Sequence, residues 1–406
     1  MDKIKESTVQ AALNDYPTPF YLYQEAGIIA AAQTVNSAFS WNADFKNFFA
    51  VKALPNPKIL KLLLDQGMGL DCSSMTELLL AEKVGARGSQ IMFSSSDTPA
   101  EDFVKARQLG SIINLDDLSH LDFLEQAAGL PDLICFRYNP GDLVQGNDII
   151  GQPKEAKFGM TKQQIIDGIK LAQQKGVRQF GLHTMVISNN LDVQVGLQIV
   201  KVLFELAAEL RLATGVQLEF INLGGGIGIT YQPSQTEFDV KLFSYGVREL
   251  SQSLLNYQPA IYMECGRYIT GPYGYLVSRV LHIKRTYKTF IGLDASMHNL
   301  MRPGMYGAYH HITILGKSAD ETQPPLTYDV TGSLCENNDK FAVDRRLPKV
   351  EIGDIFLIHD AGAHGHAMGS NYNGKLRSAE LLLRSDGRTE LIRRAETNAD
   401  YFSTLV

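Results

Sequence analysis

Short apolar, β-branched runs recur through the first two thirds of the chain. Each is followed by a turn signal and then by a segment whose apolar residues repeat at helical spacing. Eight such runs lie between about residues 47 and 264: NFFAV, GLDC, QIMFS, SIINL, LICFRYN, QFGLH, EFINLG and AIYMEC. Between them come amphipathic stretches such as PKILKLLLDQG, TELLLAEKVG and KQQIIDGIKLAQQKG. Asn56-Pro57 supplies an N-cap and a first-turn proline, and Ser74-Met75-Thr76-Glu77 reads as a capping box. Strands alternating with helices imply a parallel sheet, and eight repeats imply closure into a (β/α)8 barrel over residues 24–272. After about residue 272 the pattern becomes that of strands joined by Gly, Asp and Pro turns, as in VSRVLHIKRTYKTFIGLD, LTYDVTGSL and VEIGDIFLIHD. That is an antiparallel β domain over residues 273–406. TPFYLY reads as a lone strand, which assigns residues 1–23 to the same domain.

Bulk properties narrow the functional classes. A chain of 406 residues is long for one core, which agrees with two domains. Hydrophobic residues at 45% and charged residues at 20% are ordinary globular values, and a net charge of -6 argues against a nucleic-acid partner. Cys72, Cys135, Cys265 and Cys335 are scattered and form no CxxC pair, so a reducing cytoplasm fits better than a disulfide framework. No apolar run is long enough to span a bilayer, and a soluble cytoplasmic protein is expected.

In a barrel of this kind, functional residues sit just past the C-terminal ends of the strands. Those positions hold Lys52, Asp71, Arg137, Asn139 and His183, then Gly224-Gly225-Gly226, then Glu264-Cys265-Gly266-Arg267. Lys52 follows an apolar strand, where partial burial would lower its pKa and favour an amine nucleophile; the plain alternative is a lysine snorkelling at a strand end. The glycine run lets backbone N–H groups approach a phosphate, although tight turns also use such runs. Glu264 would keep a pyridine nitrogen protonated, or else pair with Arg267. His183 could stack on a ring face.

The second domain adds Arg302 and Tyr306 in RPGMY, Cys335 and Glu336 in LCENND, and Tyr372 in NYNGK. An arginine fork suits a carboxylate, and a thiol can donate a proton. His364 and His366, near Asp360, sit at a metal pair's strand spacing, but Gly362 and Gly365 mark a turn and no metal is expected.

Taken in order, FFAVKA, GLDCSSMTEL, KFGM, LGGGIG, ECGR, LMRPGMY, LCENND and NYNGK resemble the diaminopimelate decarboxylases, within the alanine-racemase-like (fold type III) group that includes ornithine and arginine decarboxylases. The likeness runs over nearly the whole chain. It implies pyridoxal 5'-phosphate (PLP) held covalently by Lys52, with His183 stacked on its ring, Glu264 at the ring nitrogen and Asp71 nearby. Gly226, Gly266, Arg267 and Tyr372 would surround the phosphate or the adjoining substrate. Arg267, Arg302, Tyr306, Glu336 and Tyr372 would hold the substrate, and Cys335 would protonate the product. The implied reaction converts meso-2,6-diaminopimelate to L-lysine and CO2, in a homodimer whose active sites are shared between subunits.

Three stretches depart from the family. His183-Thr184-Met185-Val186-Ile187-Ser188-Asn189 stands where His-Ile-Gly-Ser-Gln is usual, so the phosphate-binding serine is displaced. Cys265 replaces the proline of Glu-Pro-Gly-Arg, and Asn337-Asn338 replaces Ser-Ser after Glu336. These changes bear on substrate more than on cofactor. One competing reading is a decarboxylase of ornithine, lysine or arginine. Arg302 speaks against it, because a distal ammonium would meet a guanidinium, and an unpaired buried charge costs roughly 3–5 kcal/mol. A non-catalytic PLP-binding regulatory relative would be expected to lack Lys52 or Cys335, and both are present.

Overall fold

The computed structural model describes residues 4–146, 151–317 and 325–406. The chain forms two compact units. One comprises Ile29–Ile229 with Thr236–Ile269, and the other Met1–Ile28, Thr230–Gln235 and Thr270–Val406.

The strands, in chain order, begin with β1 (Phe20–Gln24). Then come β2 (Lys46–Ala50), β3 (Gly69–Cys72), β4 (Ile91–Ser95), β5 (Ile112–Leu115), β6 (Leu133–Tyr138), β7 (Gln179–Thr184), β8 (Phe220–Asn222) and β9 (Ala260–Met263). β2 to β9 form a closed parallel barrel, sealed by Lys46 opposite Tyr262 and Asn47 opposite Met263. All eight correspond to the apolar runs in the sequence. Phe48, Met92, Ile112, Cys135 and Phe220 pack together as one buried cluster inside it. Two glycines make room for this filling: a Cβ on Gly69 would lie 2.4 Å from the Phe48 ring, and one on Gly181 2.2 Å from the Phe220 ring. Emptying such a site, as in Phe220→Ala, costs about 3–5 kcal/mol. The cluster draws on the earlier residues of most of these strands, which leaves polar side chains for their C-terminal ends.

The helix starts follow the local signals, with one change. Asn56 caps Pro57–Asp65 by accepting from the Lys58 N–H at 3.0 Å. Ser74 accepts from the Glu77 N–H at 3.4 Å, but the Glu77 carboxylate reaches past the expected box to the Ser73 N–H at 2.7 Å and the Ser73 hydroxyl at 2.9 Å. The longest barrel helix, Val193–Thr214, is capped by Asp192 and ends on Gly215 at φ 74°, a left-handed position suited to glycine.

Among the described residues the second unit has nine strands: β1, β10 (Gly274–Arg285), β11 (Thr289–Leu293), β12 (Ile312–Ile314), β13 (Leu326–Thr331), β14 (Lys340–Leu347), β15 (Ile355–Ile358), β16 (Ala379–Leu383) and β17 (Thr389–Arg393). The lone TPFYLY strand does join this sheet. It lies antiparallel to β10 and parallel to β16. β11 and β13 are also parallel, so the expected antiparallel domain is a mostly antiparallel sheet that carries two parallel pairs. Parallel neighbours need long connections, and both of these pairs have them; the hairpin β16–β17 stays antiparallel. Phe20, Leu22, Val277, Leu357 and Leu381 form its core with Val9 and Ala12 of the first helix, Glu6–Asp15. Among the described residues no helix is long and apolar enough to cross a membrane.

Candidate active site

The C-terminal ends of the barrel strands bring together a lysine, two acids and a histidine. Lys52 lies in a single 3-10 turn, Val51–Ala53, directly after β2, with its side chain 55% exposed. Its Nζ stands 3.3 Å from Oδ2 of Asp71, which is buried in β3. The sequence predicted a depressed lysine pKa. The structure shows the opposite, because attraction to Asp71, and then to Glu264 and Glu77, outweighs burial and raises it. Burial and the nearby Glu264 push the Asp71 carboxyl up as well. The pair therefore holds its proton over a wider pH range than either group alone.

Glu264 follows β9 and is buried. His183 Nε2 lies 3.1 Å from its Oε2, and Asn222 Nδ2 donates to its Oε1 at 2.8 Å. Burial alone would push this carboxyl up. His183, Lys52 and Asn222 together win, bringing it down to about 2, so Glu264 is a fixed anion. Asn222 also accepts the Gly224 N–H at 2.9 Å, which ties the carboxylate to the glycine loop. On the far side of the imidazole, Asn114 Nδ2 lies 3.0 Å from His183 Nδ1. An amide donor there leaves the Nε2 proton for Glu264. The sequence reading passes over Asn114, inside β5, and Asn222, the last residue of β8. An asparagine in an otherwise apolar run is the signal that could have found them.

The glycine loop is shaped by close backbone approach. Gly224 and Gly226 have φ of 70° and 97°, and a Cβ on Gly225 would stand 2.8 Å from the Glu264 carbonyl. The divergent segment after His183 packs on this loop: the Asn190 N–H donates to the Gly226 carbonyl at 2.8 Å, and the Gly225 N–H faces Met185 Sδ at 3.2 Å. Gly266 approaches Ala53 so closely that a Cβ would meet it at 2.8 Å. Arg267 opens the short helix Arg267–Thr270. Arg137 pairs with Asp116 at 2.9 Å, and Asn139 is committed to its own loop, donating to the Pro153 and Phe158 carbonyls.

The second unit holds the other candidates. Arg302 is buried at the start of the helix Arg302–Tyr306. Its Nη1 lies 2.9 Å from His310 Nε2, and its guanidinium carbon lies 4.5 Å from the centre of the Tyr231 ring. Asp360 feels Arg302, yet burial pushes its carboxyl up to about 7. Tyr306 and Tyr372 are exposed, as is Cys335. Cys335 donates its N–H to Asn373 Oδ1 at 2.7 Å, and the Tyr372 hydroxyl donates to Glu336 at 3.2 Å. His366 faces the Ser378 carbonyl through Nε2 at 3.1 Å and the Arg377 guanidinium through Nδ1 at 3.0 Å. His310 and Tyr231 escape sequence reasoning because they lie far apart in the chain.

Residues 25–271 match the family model of the pyridoxal-dependent decarboxylase, pyridoxal binding domain. The chain belongs to the pyridoxal-dependent decarboxylases. It is 46% identical over 389 residues to Protein TabA of Pseudomonas amygdali pv. tabaci, covering 96% of this chain and 91% of that protein. It is 34% identical over 394 residues to a diaminopimelate decarboxylase of Methanothermobacter thermautotrophicus, covering 95% and 91%. The crystal structure of diaminopimelate decarboxylase from Helicobacter pylori complexed with L-lysine superposes with a TM-score of 0.89 at 28% identity, over 97% of this chain and 98% of that one.

The residues of this decarboxylase's barrel unit fit PLP. Buried Oδ1 of Asp71 and Oδ1 of Asn114 have no hydrogen-bond partner among the described residues, and a neighbouring polar group would satisfy them. The glycine loop is a cradle that side chains would fill, and Glu264 is already ionised. Lys52 is the accessible amine among these groups.

Proposed function

We propose that this enzyme decarboxylates meso-2,6-diaminopimelate to L-lysine and CO2. The observation that carries the reading is Arg302, a buried guanidinium oriented by His310 and Tyr231, which suits a carboxylate at the far end of the substrate. The 34% identity to a diaminopimelate decarboxylase supports it. The bound cofactor supplies an electron sink for the pair left at the α-carbon when CO2 departs.

The chain's own residues do the rest. Lys52 anchors the cofactor, with Asp71 holding the proton of its amine. Glu264, kept anionic by His183 and Asn222, holds the proton on the ring nitrogen, while His183 supports the ring. The N–H groups around Gly226 and Gly266, with Arg267 and Tyr372, receive the phosphate. Arg267, Arg302, Tyr306, Glu336 and Tyr372 position the substrate, and Cys335 delivers a proton to the α-carbon.

We place Cys335 and Glu336 at the cofactor of a partner subunit in a homodimer. Their exposed setting supports this, as a loop that works in another chain must be presented outward. Mixing Lys52→Ala with Cys335→Ala subunits should then restore roughly a quarter of native activity. A self-contained site would restore none. A cytoplasmic location accords with the four free thiols.

A decarboxylase of another amino acid is the second reading, favoured by the 46% identity to TabA, whose name assigns no substrate. One experiment addresses cofactor and substrate together. Purified protein should absorb visible light, borohydride should fix a pyridoxyl group on Lys52, and CO2 should be released from diaminopimelate far faster than from lysine, ornithine or arginine. Label on another lysine would overturn the anchor. Equal release from ornithine would overturn the substrate.

A further inference from the structure

We propose that Asn373 is a positioning residue for Cys335: its side-chain oxygen fixes the backbone of the loop that carries the thiol. The inference rests on the reading of Cys335, given above, as the group that returns a proton to the product.

Two side chains from different segments hold the Cys335 loop. Asp339 is 4% exposed; its Oδ2 accepts the Leu334 N–H at 2.7 Å and its Oδ1 the Met297 N–H at 2.6 Å. The loop also closes on its backbone. The Asp339 N–H donates to the Glu336 carbonyl, and the Gly332 N–H to the Asp339 carbonyl, each at 3.1 Å. The next N–H after that of Leu334 belongs to Cys335, and it donates to Oδ1 of Asn373 at 2.7 Å. An N–H only donates, so the amide oxygen must face it, which fixes the orientation of the asparagine. Holding this N–H holds the peptide plane before Cys335, and with it the direction in which the thiol leaves the backbone.

The backbone of Asn373 makes the contact possible. It has φ 56° and ψ 24°, in the left-handed region that asparagine enters more readily than most residues. The turn around it is closed by the Gly374 N–H on the Asn371 carbonyl and by Asn371 Nδ2 on the Lys375 carbonyl, each at 3.0 Å. Glycine would take this turn with less strain but would bring no acceptor. The conformation admits either residue; only asparagine also supplies the oxygen.

Turn and loop are joined a second time. The Tyr372 hydroxyl donates to Glu336 Oε1 at 3.2 Å. That bond and the Glu336 charge raise the hydroxyl above its ordinary pKa, with Cys335 adding the smallest part, so the phenol keeps its proton for Glu336. The loop also lies close to the helix that opens at Arg302, where a Cβ on Gly304 would stand 2.4 Å from the Asn338 carbonyl. Thiol, carboxylate and phenol, three groups of the proposed chemistry, are thereby stitched into one exposed surface. A single bond at an exposed position contributes little to folding. At a reacting group, however, a displacement of about 1 Å can cost roughly 100-fold in rate.

The test compares variants of the holoenzyme with the native form by kcat for diaminopimelate and, without turnover, by hydrogen exchange at the Cys335 amide. The cofactor's visible absorption serves as the check on folding. Asn373→Gly keeps the turn and removes the acceptor. It should lower kcat about tenfold and speed exchange at the Cys335 amide about tenfold, with native absorption. Asn373→Asp keeps an acceptor and should restore slow exchange and most of kcat. A merely conformational role predicts that glycine matches the native residue in both readings, and that result overturns the inference. Fast exchange in Asn373→Asp overturns it as well, because an acceptor at this position would then not hold the loop. Cys335→Ala, run beside them, keeps the two readings apart. Full kcat in that variant sinks the proton-delivery reading and this inference together. Loss of kcat there, with native kcat and exchange in Asn373→Gly, sinks this inference alone.

Discussion

Each unit buries one charge central to the proposed chemistry, and they hold it in opposite ways. Glu264 of the barrel unit is surrounded by an imidazole, an amide and a lysine, which fix it as an anion. Arg302 of the β unit lies against the His310 imidazole and the face of the Tyr231 ring. The first arrangement secures a charge state, which the role proposed for Glu264 at a ring nitrogen would require. The second secures an orientation. Burial of a charge therefore says little about its task until the charge of its partner is known.

Removing the charge of Glu264 and the planar fork of Arg302 tests the contrast most severely. Glu264→Gln should lower kcat by about 10²–10³-fold, while borohydride still labels Lys52. An unchanged kcat would show that the anion does not govern the cofactor. Arg302→Lys keeps the charge but loses the planar fork. It should raise KM for diaminopimelate about tenfold and spare kcat; equal losses for diaminopimelate and lysine would show that Arg302 does not read the distal group. Asn222→Ala takes the Asn222 partner from Glu264 Oε1 and from the Gly224 N–H, while His183 still faces Oε2. A loss of about 1–3 kcal/mol in denaturant unfolding is expected, with faster release of cofactor; an unaffected release rate would uncouple the carboxylate from the glycine loop.

The smallest effect concerns pH. Burial lowers His366 from 6.5 to about 4, so between those values the unfolded chain binds more protons and stability rises with pH. Burial raises Asp360 from 3.8 to about 7, so over nearly the same window the folded chain binds more protons and stability falls with pH. The two slopes oppose one another. Asp360→Asn should expose the His366 slope, giving a Tm that climbs by a few degrees from about pH 4 to 6.5. A flat Tm in that variant would show that His366 is not buried as a neutral ring.

Local pattern by itself determined the barrel. Eight apolar runs with helical spacers specify eight strands, because side-chain periodicity is set by a residue's neighbours in the chain. The same rule put Lys52, Asp71, His183 and Glu264 at strand ends, and the glycine run between two strands. Asn56 and Ser74 capped their helices as their sequence context requires. What the sequence could not determine depended on partners brought from far along the chain. The raised pKa of Lys52 comes from Asp71 and Glu264, and the ionised state of Glu264 from His183 and Asn222. The parallel pairing of β1 with β16 joins segments more than 350 residues apart. Tyr231, Arg302 and His310 meet only once the β unit has folded. Electrostatic state and strand direction are properties of spatial neighbours, and only the tertiary structure chooses those.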